Sequence, residues 1–374
     1  MTNRNPSETT SYNRLGDDLR AAVAAGIVTE AQAAGILVLE QSRAGTRAAH
    51  SPEDEPFEFF RGFSEVFLAV GLSILLAGFV ALLVWLGLSS GAFLVAPLVV
   101  AGVVWWMAGY FTLKRRMVLP SMILAGAFGI AICAFVLGWI ASGDFPNPRH
   151  MVIYASLSAA AAMGVWYMRF RLPVAMFLVG LACLGTLYAT TLSTEVLFAL
   201  QAGDIGIGSV FDLRNSPDFA FATLIFGIGA FLAGMWFDMR DPHRLGRHAA
   251  TGFWLHLLAA PALVNTVALT LYNLGGSLGI TSVAAALGIV AALALIIDRR
   301  SFLTAGIVYI ALVISWTVRG ESEGSFGQWV AILLILGAFI TALGTWWVAL
   351  RAALMQALPA FPGKTRLPPY SEST

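Results

Sequence analysis

The sequence predicts an all-α protein: a polytopic transmembrane helical bundle of about ten spanning helices, preceded by a small N-terminal αα-hairpin. Three observations carry that expectation. Almost everything after Phe63 falls into long apolar segments, each near the roughly 20 residues that an α-helix needs to cross hydrocarbon. The composition is 58% hydrophobic and only 11% charged, against roughly 25% charged in an ordinary soluble domain. The basic residues alternate between the two sides of such a membrane at every loop, with 19 Lys and Arg on one side and 3 on the other. Adding or dropping one helix would scramble every later loop.

The apolar runs place spans near 63–88, 91–113, 117–142, 151–168, 172–193, 219–237, 253–274, 277–297, 301–318 and 327–350. By the positive-inside rule, the side holding Lys114, Arg115, Arg116, Arg169, Arg171, Arg240, Arg244, Arg247, Arg299, Arg300 and both termini is cytoplasmic. Arg149, Arg214 and Arg319 fall outside, among Asp144, Glu195, Asp204, Asp212, Asp218, Glu321 and Glu323. So clean a bias predicts a bacterial inner (plasma) membrane. Four spans running inward end in paired aromatics, Trp105-Trp106, Trp166-Tyr167, Trp236-Phe237 and Trp346-Trp347. Those pairs are expected at headgroup depth, with the following cations snorkelling into water.

The soluble parts are small. Residues 1–20 are polar and charged and read as no signal peptide, so the first span is expected to act as its own insertion signal. Residues 1–50 form the hairpin module. Leu15, Leu19, Ala22 and Val23 make an apolar stripe that Gly26 can end by taking positive φ. Thr29-Glu30-Ala31-Gln32 then reads as a capping box opening the second helix, which turns Ala34, Leu37 and Val38 toward its partner. A hairpin of this size cannot bury a sufficient core by itself, so residues 10–47 are expected to dock on the membrane face, self-associate or bind a protein partner. Residues 51–62 are an acidic linker with two prolines, leading into Phe57, Phe59, Phe60 and Phe63 as a lipid-interface anchor. Residues 194–218 are expected as an interfacial helix followed by a glycine-rich loop, and 354–374 as a disordered tail.

The hairpin also carries a resemblance. Leu19–Leu37, LRAAVAAGIVTEAQAAGIL, resembles the cytosolic opening of bacterial domain-of-unknown-function family 2157, DUF2157, in which a Gly-Ile/Leu-[Ser/Thr]-x-x-Gln turn joins two helices. Gly26, Ile27, Thr29 and Gln32 carry the match, with Val28 as an extra residue before the threonine. The resemblance implies an integral membrane protein with many spans. That family has no assigned activity, so no catalytic residue is carried over.

Inside the predicted membrane the ten cores contain no Asp, Glu, Lys or Arg; Glu65 and Asp298 come nearest. Buried charge usually marks ion paths, proton relays or catalytic groups. Its absence argues against proton pumps and against intramembrane aspartyl or metalloproteases. No catalytic, metal or cofactor motif is expected, and Cys133 and Cys183 read as inert thiols within apolar segments. Nucleic acid is excluded as a partner by the lack of a basic patch with interleaved aromatics; the lipid bilayer is the expected one.

One span is polar. Residues 253–274 carry His256, Pro261, Asn265, Thr266, Thr270 and Asn273, and these are the candidate cavity-lining residues. Thr266, Thr270 and Asn273 share a face at i, i+4, i+7, and Pro261 removes the hydrogen bond to the Leu257 carbonyl. The competing reading is interhelical glue, with His256 a satisfied structural histidine. Packing stripes of small residues are expected at Ser156, Ala160 and Gly164, and at Ala230 and Gly234, extended by Gly227 and Gly229.

Three function classes follow. The first is a transporter or facilitator of a neutral or amphipathic solute, since ten spans divide into two five-helix halves of inverted orientation. The second is a membrane scaffold or regulatory protein acting through its hairpin. The third is a lipid-modifying enzyme built on the polar cluster Asp238, Arg240, Asp241, His243, Arg244, Arg247 and His248, which the charge bias alone also explains.

Overall fold

The computed structural model describes residues 18–36 in part, 63–85, 90–143, 147–193, 195–196, 210–241 and 247–300, and, with gaps, 330–368. The chain divides into two units, Met1–Asp54 and Glu55–Thr374.

In the first unit the turn chemistry is local and complete. Gly26 takes φ +69°, and the Ile27 N–H reaches back to the Ala22 carbonyl at 2.9 Å while Gly26 N–H reaches Val23 at 3.0 Å. That pair of bonds is a Schellman motif, and it satisfies carbonyls that a helix end otherwise leaves open. Three residues on, Gln32 N–H donates to Thr29 Oγ1 at 3.2 Å and Thr29 N–H donates to Gln32 Oε1 at 2.9 Å. The capping box is therefore reciprocal. Leu19 and Ala33 are buried. Ala34, Leu37 and Val38 lie outside the described residues.

The second unit is an all-α bundle, and no strand occurs among its described residues. Its helices are α1 (Phe63–Trp85), α2 (Ser90–Ala108, prolonged by a π-helical turn Gly109–Lys114), α3 (Leu119–Ala141), α4 (Pro148–Phe170), α5 (Val174–Thr191), α6 (Pro217–Asp238), α7 (Arg247–Tyr272), α8 (Gly276–Ile297) and the shorter α9 (Trp347–Ala357). Eight of these, α1 to α8, are long and apolar enough to cross a bilayer. The expected spans at 301–318 and 327–350 fall wholly or largely outside the described residues. Where 327–350 is described, the helix breaks at Trp346 and α9 continues to Ala357. Part of the expected disordered tail packs instead: Lys364 Nζ donates to the Met355 and Leu358 carbonyls at 2.7 and 2.8 Å, closing the end of α9.

Helix α7 is the spine. It packs on α5, α6 and α8, and 61% of its apolar stretch is buried, against 39% or less for every other described span. Two apolar cores meet on it. Trp254 joins the first, built from α1 to α5; Ala260 and Val264 join the second, with α8 and α9. The first core centres on Trp105, Phe128, Trp166 and Phe170, whose ring centroids lie 4.5 to 5.5 Å apart. The paired aromatics thus serve packing, beside the anchoring expected of them. Consecutive residues project about 100° apart on a helix, so Trp347 and Phe237 are buried while Trp346 and Trp236 are exposed.

The small-residue stripe on α6 needs one correction. Gly227, Ala230 and Gly234 are buried, and a Cβ on Gly227 would meet Leu263 at 2.8 Å. Gly229 faces open space, because two residues from Gly227 is 200° around the helix. Gly164 likewise has nothing beside it; the buried row of α4 runs through Ala155, Ala159, Met163 and Trp166.

Charged side chains close the helix ends. Glu65 of α1 is buried and accepts from the Val118 and Leu119 N–H groups at 3.1 and 3.3 Å, capping α3. Arg149 donates to the Ala189 carbonyl at 2.7 Å and to that of Leu192, capping α5. Arg351 donates to the Leu295 carbonyl of α8 at 3.1 Å. A carboxylate at a helix N-terminus and a cation at a C-terminus both complement the macrodipole.

Replacing Thr29 by Ala removes one arm of the capping box, a loss of about 1 kcal/mol. In hydrogen exchange on the full-length protein, the Gln32 amide should then exchange about five-fold faster, while Thr29→Ser leaves it protected. Equal protection in both variants would rule out the box as the local constraint.

Candidate functional site

The first site is built on the last residue of α6. Asp238 is 6% exposed, His256 of α7 0% and Arg299, just beyond α8, 1%. His256 Nε2 lies 3.0 Å from Asp238 Oδ2, and Arg299 Nε donates to the same oxygen at 3.0 Å. Arg299 Nη2 also donates to Asp238 Oδ1 and, at 2.8 Å, to the Ala249 carbonyl. An ionised carboxylate only accepts, so His256 must hold a proton on Nε2 to make its bond. The Phe231 ring meets the imidazole edge-on at 5.4 Å.

Two glycines make this geometry possible. Gly234 precedes Asp238 by one turn, and Gly252 precedes His256 by one turn. A Cβ on Gly252 would stand 2.0 Å from Asp238 Oδ1, and one on Gly234 would stand 2.9 to 3.1 Å from three ring atoms of His256. Both helices therefore leave out a side chain where the other inserts a polar one. The three groups join three spans at one end of the bundle, the end that also carries Arg240 and Arg247.

The second site lies at the far end of α7, about 21 Å from His256 along the helix by the 1.5 Å rise. Here Asp212, 1% exposed, is a buried acceptor. Asn273 Nδ2 donates to its Oδ2 at 2.7 Å and Asn215 Nδ2 at 3.2 Å, while Arg214 N–H donates to Oδ1 at 2.9 Å. Thr270 Oγ1 accepts from Leu213 N–H at 3.1 Å, and Arg214 Nη1 donates to the Asn273 carbonyl at 2.9 Å. Thr266 and Thr270 hydroxyls donate to the carbonyls of Ala262 and Thr266, each at 2.8 Å. This back-bonding is the usual way a helix hides a threonine hydroxyl.

The six candidate residues of this span therefore do not form one site. Thr266, Thr270 and Asn273 share a face, and Thr270 and Asn273 clamp the turn at 211–215. His256 belongs to the opposite end. Helix α7 runs unbroken through Pro261, which is exposed. Asn265 Oδ1 is buried with no hydrogen-bond partner among the described residues.

The structure also reassigns charges that the sequence places at loop edges. Asp238 and Arg299 border apolar runs, so hydropathy alone puts them in loops; here both are buried and paired. The usable signal was a pair of opposite charges at the same-side ends of neighbouring spans, with a histidine on the span between them. In the expected lipid-enzyme cluster, Asp238 is buried while Arg247 and His248 are exposed. His243 and Arg244 lie outside the described residues. No group of three His, Cys, Asp or Glu among the described residues is placed to hold a metal ion.

Fold and sites together define an integral membrane protein. Comparison with protein-family models, curated proteins and solved structures finds no match.

Truncating one member of the buried set leaves its partners desolvated, at about 3–5 kcal/mol. Asp238→Ala should thus sharply lower the melting temperature in detergent, and Gly252→Ala should do the same by displacing the carboxylate. The triple replacement Asp238→Leu, His256→Leu, Arg299→Met should restore most of it, since apolar residues of similar volume replace a buried ion pair at little net loss. A triple variant as unstable as the single one would show that packing, not pairing, governs the site.

Proposed function

We propose that this chain is a transporter or facilitator of a neutral or amphipathic solute, with Asp238, His256 and Arg299 as a latch on the cytoplasmic side. The observation that carries this reading is the buried ionic contact binding α6, α7 and α8 at one end, whereas the described residues at the other end pair Asp212 with amides and a backbone N–H. Alternating access needs a contact that holds one mouth shut and can part as helices rock. A buried ion pair suits that role better than apolar packing, because it adds little net stability when formed yet demands a defined geometry. The charge split supports an orientation with both termini cytoplasmic in a bacterial inner membrane, and membership of domain-of-unknown-function family 2157 belongs to the same proposal. In reconstituted vesicles the intact protein should move at least one solute in a broad metabolite uptake screen. The apolar triple variant, folded but with this mouth held by packing that does not part as the ion pair does, should take up that solute far more slowly. Uptake of no solute by the intact protein would end this reading.

A second reading, a scaffold or regulatory protein, draws on a different observation: the hairpin turn is fully capped within its own unit. Residues 10–47 would then present a preformed surface to a protein partner. In-cell crosslinking from this segment should capture one dedicated partner, and deleting it should abolish the capture. A deletion that changes neither partners nor phenotype would eliminate the scaffold reading.

A further inference from the structure

Two sets of cations contrast among the described residues of the second unit. Arg149, Arg214, Arg299, Arg351 and Lys364 donate to carbonyls or carboxylates that close helix ends. Arg169, Arg171, Arg240 and Arg247 are exposed, and no hydrogen bond or ion pair of their side chains is recorded among the described residues. All four come from the helix ends that form one seam: the close of α4, the close of α6 and the start of α7. Tyr167 of α4 meets Phe237 of α6 edge-on at 6.4 Å, and Phe237 stacks on His248 of α7 at 5.8 Å. The Tyr167 and Thr251 hydroxyls, 3.4 Å apart, join α4 to α7 directly. Asp241, the acidic group beside the seam, accepts from the Ala249 N–H at 3.4 Å.

Two of the four lie over rings, Arg169 over Phe170 at 5.6 Å and, more closely, Arg240. The Arg240 guanidinium lies over the Trp236 ring, 3.5 Å from its centroid, and Trp236 is 47% exposed. Below that ring Leu232, Ile228, Ile225 and Phe221 are all exposed large apolar side chains. Their spacing of three and four residues puts them with Trp236 on one face of α6. That face runs from Arg240 down the length of the span.

We propose that this seam seats one anionic phospholipid, with its phosphodiester on Arg240 and the neighbouring arginines and an acyl chain along the exposed face of α6. The guanidinium fork matches phosphate oxygens in a bidentate way. An indole at headgroup depth presents its apolar body to the chain and leaves the cation beside it in the polar layer. The apolar track is what selects a lipid over a soluble phosphate: a free anion uses the arginines alone. The proposal does not rest on the Asp238 latch or on transport, because its test reads bound lipid alone.

The test measures lipid retained by the full-length protein after extraction from nanodiscs of equal phosphatidylglycerol and phosphatidylcholine, by native mass spectrometry. The intact protein should retain phosphatidylglycerol over phosphatidylcholine at a ratio about three- to ten-fold above the bulk ratio, as expected from the attraction of about one interfacial cation. Arg169→Gln with Arg240→Gln should return the ratio to bulk, and Trp236→Ala should weaken it with every charge retained. Lys114→Gln with Arg116→Gln removes two cations from another turn on the same side and should leave the enrichment intact. Three results would each overturn the proposal: no enrichment in the intact protein, an equal loss in the Lys114/Arg116 variant, or displacement of the lipid by soluble glycerol phosphate.

Discussion

Hydrocarbon offers no hydrogen bonds, so every backbone group at a helix end and every charge near the bilayer must find its partner within the protein. Most of the polar architecture of this bundle answers that one constraint. Glu65 closes the start of α3 from α1, Arg149 closes the end of α5 from α4, and Arg351 closes the end of α8 from α9. In each case the capping residue sits on a different helix from the one it caps. The caps thus do two things at once: they satisfy orphan backbone groups and they tie neighbouring spans at a defined height. Apolar side chains facing lipid cannot supply the second function, because lipid is as apolar as they are.

Helix α7 shows the same logic on a larger scale. It is the most buried of the described spans, and its hydrogen-bonded links to other elements gather toward its two ends. At one end Thr270 and Asn273 hold the turn that carries Asp212. At the other His256 meets Asp238 and Arg299. Between them Ala259, Ala260, Ala262, Val264 and Ala268 pack closely. Small side chains in the middle let neighbouring backbones approach, and this proximity brings the polar ends within hydrogen-bond reach.

The two ends differ in kind. The Asp212 cluster joins a carboxylate to amides and backbone N–H groups, all local to one turn and one helix end. The Asp238 cluster joins opposite charges from three spans. Separating it exposes an ion pair and a histidine together, so the whole contact forms or parts as a unit. In the proposed latch, that coupling of three helices is the difference from ordinary interhelical glue.

The sequence by itself determined what depends on near neighbours. Gly26, Thr29 and Gln32 specify their turn within four residues, and the structure forms both motifs there. Helix identity and approximate ends were legible too, because an apolar run of spanning length has few alternatives; α7 merely begins six residues before its apolar window, at Arg247. Only the tertiary structure decided which faces meet. Glu65 bonds a residue 53 positions away, and Arg299 bonds one 61 positions away. Nothing local encodes such separations. The same limit explains Gly229, which belongs to a small-residue run but lies on the wrong side of the helix, and Asp238, which hydropathy places in a loop although a neighbouring glycine admits it to the core. Periodicity reports how a helix is patterned; the close approach of its partners decides which part of that pattern becomes a site.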